Sequence, residues 1–206
     1  MRRLLFVLLL LLAAVVTLEA VTVTDDFNRA NGALGANWDC SMYADVPSID
    51  SNHVIGDAGG GGACVWAANT FATTQCSQAL LLTNNNAPAI APAVRMDAAA
   101  VDWYAYYATG EIYRTDNGST TQIATGTGYG DTVVAKICAT GTTVEWFNDG
   151  VSDGTVVDSA LTAGSAGFVM PPHIMGSPNE LDNWEATGAI AGGGSTRHRL
   201  LRGVGR

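Results

Sequence analysis

Residues 131–150, DTVVAKICATGTTVEWFNDG, constrain this chain more than any other stretch. They read as two strands folded back on each other, with Thr140-Gly141 as a two-residue turn. That turn sets Ile137 opposite Val144 and Ala135 opposite Trp146, which makes one apolar face. The other face pairs Cys138 with Thr143, Val134 with Phe147, and Lys136, the only lysine in the chain, with Glu145. Such pairs select one register, because a slip of one residue would turn Ile137, Val144 and Trp146 towards water. A bulged three-residue loop is the alternative, since Thr-Gly is a weaker turn signal than Asn-Gly. Asn148-Asp149-Gly150 stops the second strand.

The rest of the chain is cut into pieces of the same kind. Strands are predicted over 21–27, 53–56, 63–67, 75–83, 93–97, 101–109, 111–115, 121–125, 155–158, 167–170 and 181–186. Gly, Asn and Pro punctuate them. Asp116-Asn117-Gly118 is a strong hairpin turn; Asn117-Gly118-Ser119 also fits a glycosylation acceptor. The glycine run 59–62 is followed by neither Lys-Ser/Thr nor an amphipathic helix, so it reads as a turn and not a phosphate loop. No apolar 3.6-residue period lasts three turns past residue 20. The fold class is therefore all-β, a two-sheet antiparallel sandwich or jelly roll.

The ends differ from the body. Arg2 and Arg3 precede an apolar run from Leu4 to Val16, the pattern of a signal peptide over residues 1–20 with cleavage after Ala20. The competing reading is an uncleaved anchor, but the run is shorter than the roughly 20 residues a span requires. Residues 21–188 form the expected domain. Residues 189–206 form a Gly-rich linker and a basic tail with Arg197, Arg199, Arg202 and Arg206. The whole chain has 10 basic and 19 acidic residues, net −9, and between 21 and 188 the only basic side chains are Arg29, Arg95, Arg114 and Lys136. An acidic body argues against nucleic acid as a partner. Cys40, Cys64, Cys76 and Cys138, spaced by 24, 12 and 62 residues, match no zinc motif and contain no Cys-x-x-Cys. In an exported chain they predict two disulfides, with three connectivities open.

Asp25-Asp26-Phe27-Asn28-Arg29, followed by Leu34-Gly35 and Asn37-Trp38, resembles the opening of concanavalin A-like (laminin G-like) jelly-roll domains. Leu181-Asp182-Asn183-Trp184-Glu185-Ala186 is similar to their last strand. Ala93-Val94-Arg95-Met96, the turn at 140–143 and Asn148-Asp149-Gly150 fall between them in the order such domains show. The resemblance covers about residues 22–188. It implies two stacked antiparallel sheets with the first and last strands side by side, which would bring Asp25 or Asp26 near Asp182. Some relatives hold a structural calcium there; otherwise no cofactor is expected. The fold hosts binding modules, adhesion domains, virion proteins and glycosidases alike, so it does not fix activity.

Glu180, Asp182 and Glu185 read as E-x-D-x-x-E, which looks like the signature of laminarinase-type glycosidases. On a regular strand Glu180 and Asp182 share a face and Glu185 points away, so a bulge would be needed to bring it round. The resemblance to a closing strand explains these residues without catalysis, and no catalytic residues are assigned. His53, His173 and His198 show no metal-type spacing.

Sugar recognition needs aromatic faces and fixed polar groups. Alternation puts Trp103 and Tyr107 on one face of their strand and Tyr104 and Tyr106 on the other; which pair is core stays open. Tyr113 shares a face with Glu111, and Arg114 lies opposite. Trp103, Tyr104, Tyr106, Tyr107, Tyr113 and Arg114 are the candidate glycan-binding residues. The expected protein is a secreted, non-catalytic domain that binds glycan or an extracellular surface. Self-association in an appendage, matrix or virion surface is the alternative, and a glycosidase the third reading.

Overall fold

The computed structural model describes residues 20–40, 46–56, 62–83, 90–99, 101–170 and 179–190, and every regular element among them is a strand. The expected signal peptide (save Ala20) and the expected linker and basic tail beyond Ile190 lie outside the described residues. Sheet A runs in the order β14 (Val151–Val157), β13 (Thr143–Asn148), β12 (Val133–Thr140), β7 (Phe71–Thr83), β16 (Glu180–Ile190), β5 (His53–Ile55), β4 (Ser48–Asp50) and β2 (Gly32–Ala33). In it β1 (Ala20–Asp25) also pairs with β16, so the first and last strands are neighbours. Sheet B runs β11 (Ser119–Thr125), β10 (Glu111–Asp116), β9 (Trp103–Tyr106), β8 (Ala91–Met96), β15 (Ser165–Met170), β6 (Gly62–Trp66) and β3 (Trp38–Asp39). The two antiparallel sheets form a sandwich.

The hairpin at 131–150 forms, with its register two residues from the expected one. Thr140 pairs with Thr143, Ile137 with Trp146 and Lys136 with Phe147. The turn is Gly141-Thr142, and Gly141 has φ +57°. Glycine belongs at the first central position of a type II′ turn, whereas Thr140 would strain there. A shift of two keeps the faces, so Ile137, Val144 and Trp146 are buried as the pattern requires. The expected Lys136–Glu145 pair is not made. The Lys136 ammonium lies 5.3 Å from the Phe147 ring centre, and Glu145 accepts a hydrogen bond from Ser152.

Between the sheets Trp38, Trp66, Trp184 and Phe168 pack as one aromatic group, with ring centres 4.6–5.3 Å apart. The Trp184 indole N–H donates to Ser77 Oγ, which donates to the carbonyl of Gly167, and this links the layers. Arg95, 1% exposed, is also held between them. Its guanidinium donates to the carbonyls of Thr73, Gly141 and Leu161, tying the start of β7, the hairpin turn and the segment before β15. The disulfides are Cys40–Cys64 and Cys76–Cys138, one of the three open connectivities. Cys40 and Cys64 are buried, whereas Cys76 and Cys138 face outward from sheet A and are partly exposed.

Candidate functional site

The outer face of sheet B is unusual for a surface. Alternation turns Ala63 and Val65 of β6, Ala91 and Ala93 of β8, Trp103 and Ala105 of β9, and Val169 of β15 away from the main core, where they form a second buried cluster with Met96. One row crosses five strands in register: Val65, Gly167, Ala93, Ala105 and Tyr113. At the strand spacing of a sheet it is about 19 Å long. Its middle is paved with small residues, and Gly167 has no room for more. A Cβ there would meet the Cys64 carbonyl oxygen at 2.1 Å and Met96 Sδ at 2.6 Å.

Solvent reaches this face mainly at its two ends. Ala93 and Ala105 are fully buried, and Trp103 is 8% exposed. At the β10 end Tyr107, Glu111 and Tyr113 are partly exposed, and the two tyrosine rings meet edge to face at 5.4 Å. Glu111 Oε2 is sealed from solvent and accepts no hydrogen bond. A buried carboxyl oxygen without a donor is costly, so its position beside two aromatic rings calls for a partner. At the other end Val65 and Met96 also line a cavity of about 240 Å³, with Asp39, Asn69, Thr70, Asp97 and Ser165 around it. Asp97 is fixed there by the backbone N–H groups of Val101 and Asp102. An apolar floor with polar groups at its margins suits a ligand of hydroxyls and C–H faces.

Of the six aromatic and basic candidates, Trp103, Tyr107 and Tyr113 belong to this face. Tyr104, Tyr106 and Arg114 do not, because their side chains point between the sheets. Tyr104 O–H donates to Asp158 Oδ1 at 2.7 Å and accepts from the Leu161 N–H. Burial, the largest influence, and the Asp158 charge push its hydroxyl up to about 12. Arg114 donates to Asp158 Oδ2 at 2.6 Å. Burial works against ionisation of Asp158, but donors from Ala160, Tyr104 and Arg114 hold its carboxyl below the ordinary value of 3.8. Tyr106 O–H lies 2.9 Å from both Asp153 Oδ2 and Asn148 Oδ1, and burial followed by the Asp153 contact raises its hydroxyl well above the usual tyrosine value. Asp153 also receives the N–H and O–H of Thr127, and these donors outweigh burial to lower its carboxyl. Tyr104 and Tyr106 are fully buried, and Arg114, 26% exposed, is held on Asp158.

The three carboxylates expected near a calcium have partners within the protein. Asp25 gives its oxygens to Arg29, at 2.6 and 3.0 Å, and to the Trp38 indole N–H at 2.8 Å. Burial raises the Asp25 carboxyl, and the donors Arg29, Trp38 and Phe27 more than offset this, leaving it below 3.8. Asp26 caps the Asn28 N–H, and Asp182 binds the backbone and side-chain N–H groups of Asn183. Among the described residues no three His, Cys, Asp or Glu side chains gather for a metal. Calcium asks for about six to eight oxygens, backbone carbonyls among them.

The Glu180 motif also departs from expectation. β16 carries a bulge between Asp182 and Glu185, with Asn183 at φ +48°. The extra residue restores Glu185 to the outward side, so Glu180, Asp182 and Glu185 all alternate with the buried Leu181, Trp184 and Ala186. Both Glu180 oxygens already have partners: Thr83 Oγ1 donates at 2.9 Å, and His53 Nε2 lies at 3.4 Å. Glu185 lines a separate cavity of about 360 Å³ with Asp26, Gln78, Leu80 and Val134.

Among solved structures the chain is similar to a carbohydrate-binding module from Bacillus subtilis, with TM-score 0.54 and 17% identity over 77% of this chain and 96% of that one. The Emp47p carbohydrate recognition domain matches at TM-score 0.54 and 9% identity, over 82% and 95%. Lectin II from Ulex europaeus matches at TM-score 0.50 and 11% identity, over 82% and 98%. The fold is a concanavalin A-like jelly roll. At these identities the likeness is one of fold. At the level of sequence, no protein-family model and no curated protein matches the chain.

Within this jelly roll, Glu111, Asp39, Asp97 and the small-residue row share the candidate face with Trp103, Tyr107 and Tyr113. The Ala-x-Ala spacing at 91–93 and Ala105 between Trp103 and Tyr107 signalled the row, since outward positions of a solvated strand are usually polar. That Asp39 and Asp97 line one cavity had no local signal.

Proposed function

We propose that this chain is an exported, non-catalytic glycan-binding domain whose site is the outer face of sheet B. Tyr107 and Tyr113 supply ring faces for the C–H surface of a sugar, and Glu111 accepts from its hydroxyls. Trp103 and the buried alanine row support the rings from behind, and the cavity by Asp97 opens at the other end of the face. The observation that carries this reading is the pair of partly exposed tyrosine rings, edge to face at 5.4 Å, on the face that also bears Glu111. Its likeness in fold to carbohydrate-binding modules and lectins supports the same reading. A glycan array probed with the full chain tests it: binding should fall in Tyr113→Ala and Glu111→Gln, and silence on every glycan would contradict it.

One observation favours a second reading. The bulge at Asn183 gathers Glu180, Asp182 and Glu185 on one side of β16, as a glycosidase requires. Against it stand the occupied oxygens of Glu180 and the placing of the half-exposed tyrosines on the other sheet. Hydrolysis of β-glucans that vanishes in Glu180→Gln would establish this second reading in place of the first.

A further inference from the structure

We infer that the open edge of β1 docks the same edge of a second copy of this chain, antiparallel and about a two-fold axis at Thr22, so that two copies of sheet A become one. Among the described residues no strand pairs with the far side of β1, which is joined to β16 alone. Alternate residues of an antiparallel strand turn both N–H and C=O to the same side, so half of β1 presents these groups to the open side. Ala20, Thr22 and Thr24 are exposed. Val21 and Val23 face inward beside Gly188 and Ala186 of β16, yet they stay partly exposed where those two are buried. The apolar lining of the sandwich is therefore unfinished at β1.

The other edge strands are protected against such pairing. β11 and β14 each carry a bulge, at Ile123 and at Asp153. The Asp153 carboxylate is also turned inward, to Tyr106 and Thr127. β2 and β3 are two residues long. Bulges, inward charges and short strands are the means by which sheet edges avoid one another. β1 has none of them: it has six residues, pairs with β16 without a shift, and contains neither Lys nor Pro. Its alternation also suits its own copy. Antiparallel strands keep like faces together only at every second register. With Thr22 opposite the partner's Thr22, Val21 meets the partner's Val23 twice on the inner side, and Ala20 meets the partner's Thr24 twice on the outer side. The valines are taken from water, and Thr–Thr is a favourable cross-strand pair. Asp25, the one charge in β1, falls outside the pairing and is held by Arg29 and Trp38. Such a two-fold interface is self-complementary, which a strand of another protein need not be.

Sedimentation of the full chain over a concentration series up to about 1 mM tests the inference. A monomer–dimer equilibrium is expected. Thr22→Lys and Thr22→Glu each set like charges opposite one another at the axis, so each variant alone should dissociate at least about tenfold more readily. An equimolar mixture of the two sets Lys opposite Glu and should recover the dimer, which also shows that both variants fold. A chain that stays monomeric throughout, a dimer that survives either substitution, or weakened variants that show no recovery when mixed would overturn the inference.

Discussion

The outer faces of the two sheets arise from the same alternation and end as opposite kinds of surface. Sheet A turns Gln78, Lys136, Glu145, Asp182 and Glu185 outward, all partly exposed. Sheet B turns Val65, Ala91, Ala93, Ala105 and Val169 outward, all buried. The contrast shows along single strands: β12 alternates buried with partly exposed positions, whereas β8 and β15 are buried throughout. An antiparallel sheet commonly leaves one face to water and so needs polar residues there. Sheet A follows that rule. Sheet B breaks it, and its outward apolar residues are closed to solvent.

The strongest way to break the comparison is to exchange the roles of the two cations. Arg95 belongs to the inside of the sandwich and Lys136 to the outside of sheet A. Arg95→Met should lower stability by about 3–5 kcal/mol, because three buried carbonyls lose their donor. Lys136→Met should stay within about 0.5 kcal/mol. Urea denaturation of both variants measures the difference, and equal effects would show that the guanidinium is not a structural node.

The disulfides divide along the same line. Cys76–Cys138 closes 62 residues on the outer face of sheet A, and Cys40–Cys64 closes 24 in the interior. By loop entropy their removal should cost about 4 and about 3 kcal/mol respectively. Mild reductant should open the partly exposed Cys76–Cys138 bond first, as mass spectrometry of alkylated protein would report. Reduction of the buried bond first would contradict the assignment of faces.

Smaller effects separate the faces by binding. Tyr107→Ala and Tyr113→Ala should each weaken glycan binding roughly tenfold. Phe147→Ala, on the outer face of sheet A, should leave it unchanged. Titration calorimetry compares the three, and a loss with Phe147→Ala alone would move the site to the other sheet.

Acid gives the gentlest probe. The carboxyls of Asp25, Asp153 and Asp158 are all lowered in the folded chain from 3.8. Their stabilisation is complete above about pH 4 and is lost as pH falls through the folded values. The melting temperature should therefore drop below about pH 4, and the drop should shrink in Asp158→Asn. An acid response unchanged by that substitution would remove Asp158 from the account.

Much of the sandwich was legible in the sequence because the strands carry their turns with them. Asn117-Gly118 closes β10 and β11 where expected, and the buried faces of β12 and β13 follow from alternation alone. The register at residue 141 was missed because a type II′ turn and a type I′ turn place glycine at different positions, and Thr-Gly-Thr admits both choices. The orientation of β9 was not legible because both of its faces are aromatic. Its partners decide it: Asp153 and Asp158 take the hydroxyls of Tyr106 and Tyr104 from 47 and 54 residues away. The bulge at Asn183 was hidden for a related reason, since Asn adopts positive φ at moderate cost and its neighbours do not announce it.

The most direct test of the glycan site is a residue-by-residue map of backbone amide shifts in the isotope-labelled protein as a neutral oligosaccharide is added. The account predicts that the shifted amides cluster at residues 91–97, 103–113 and 165–169. A cluster at residues 78–80, 134–147 and 180–187 instead would place the ligand on sheet A and contradict it.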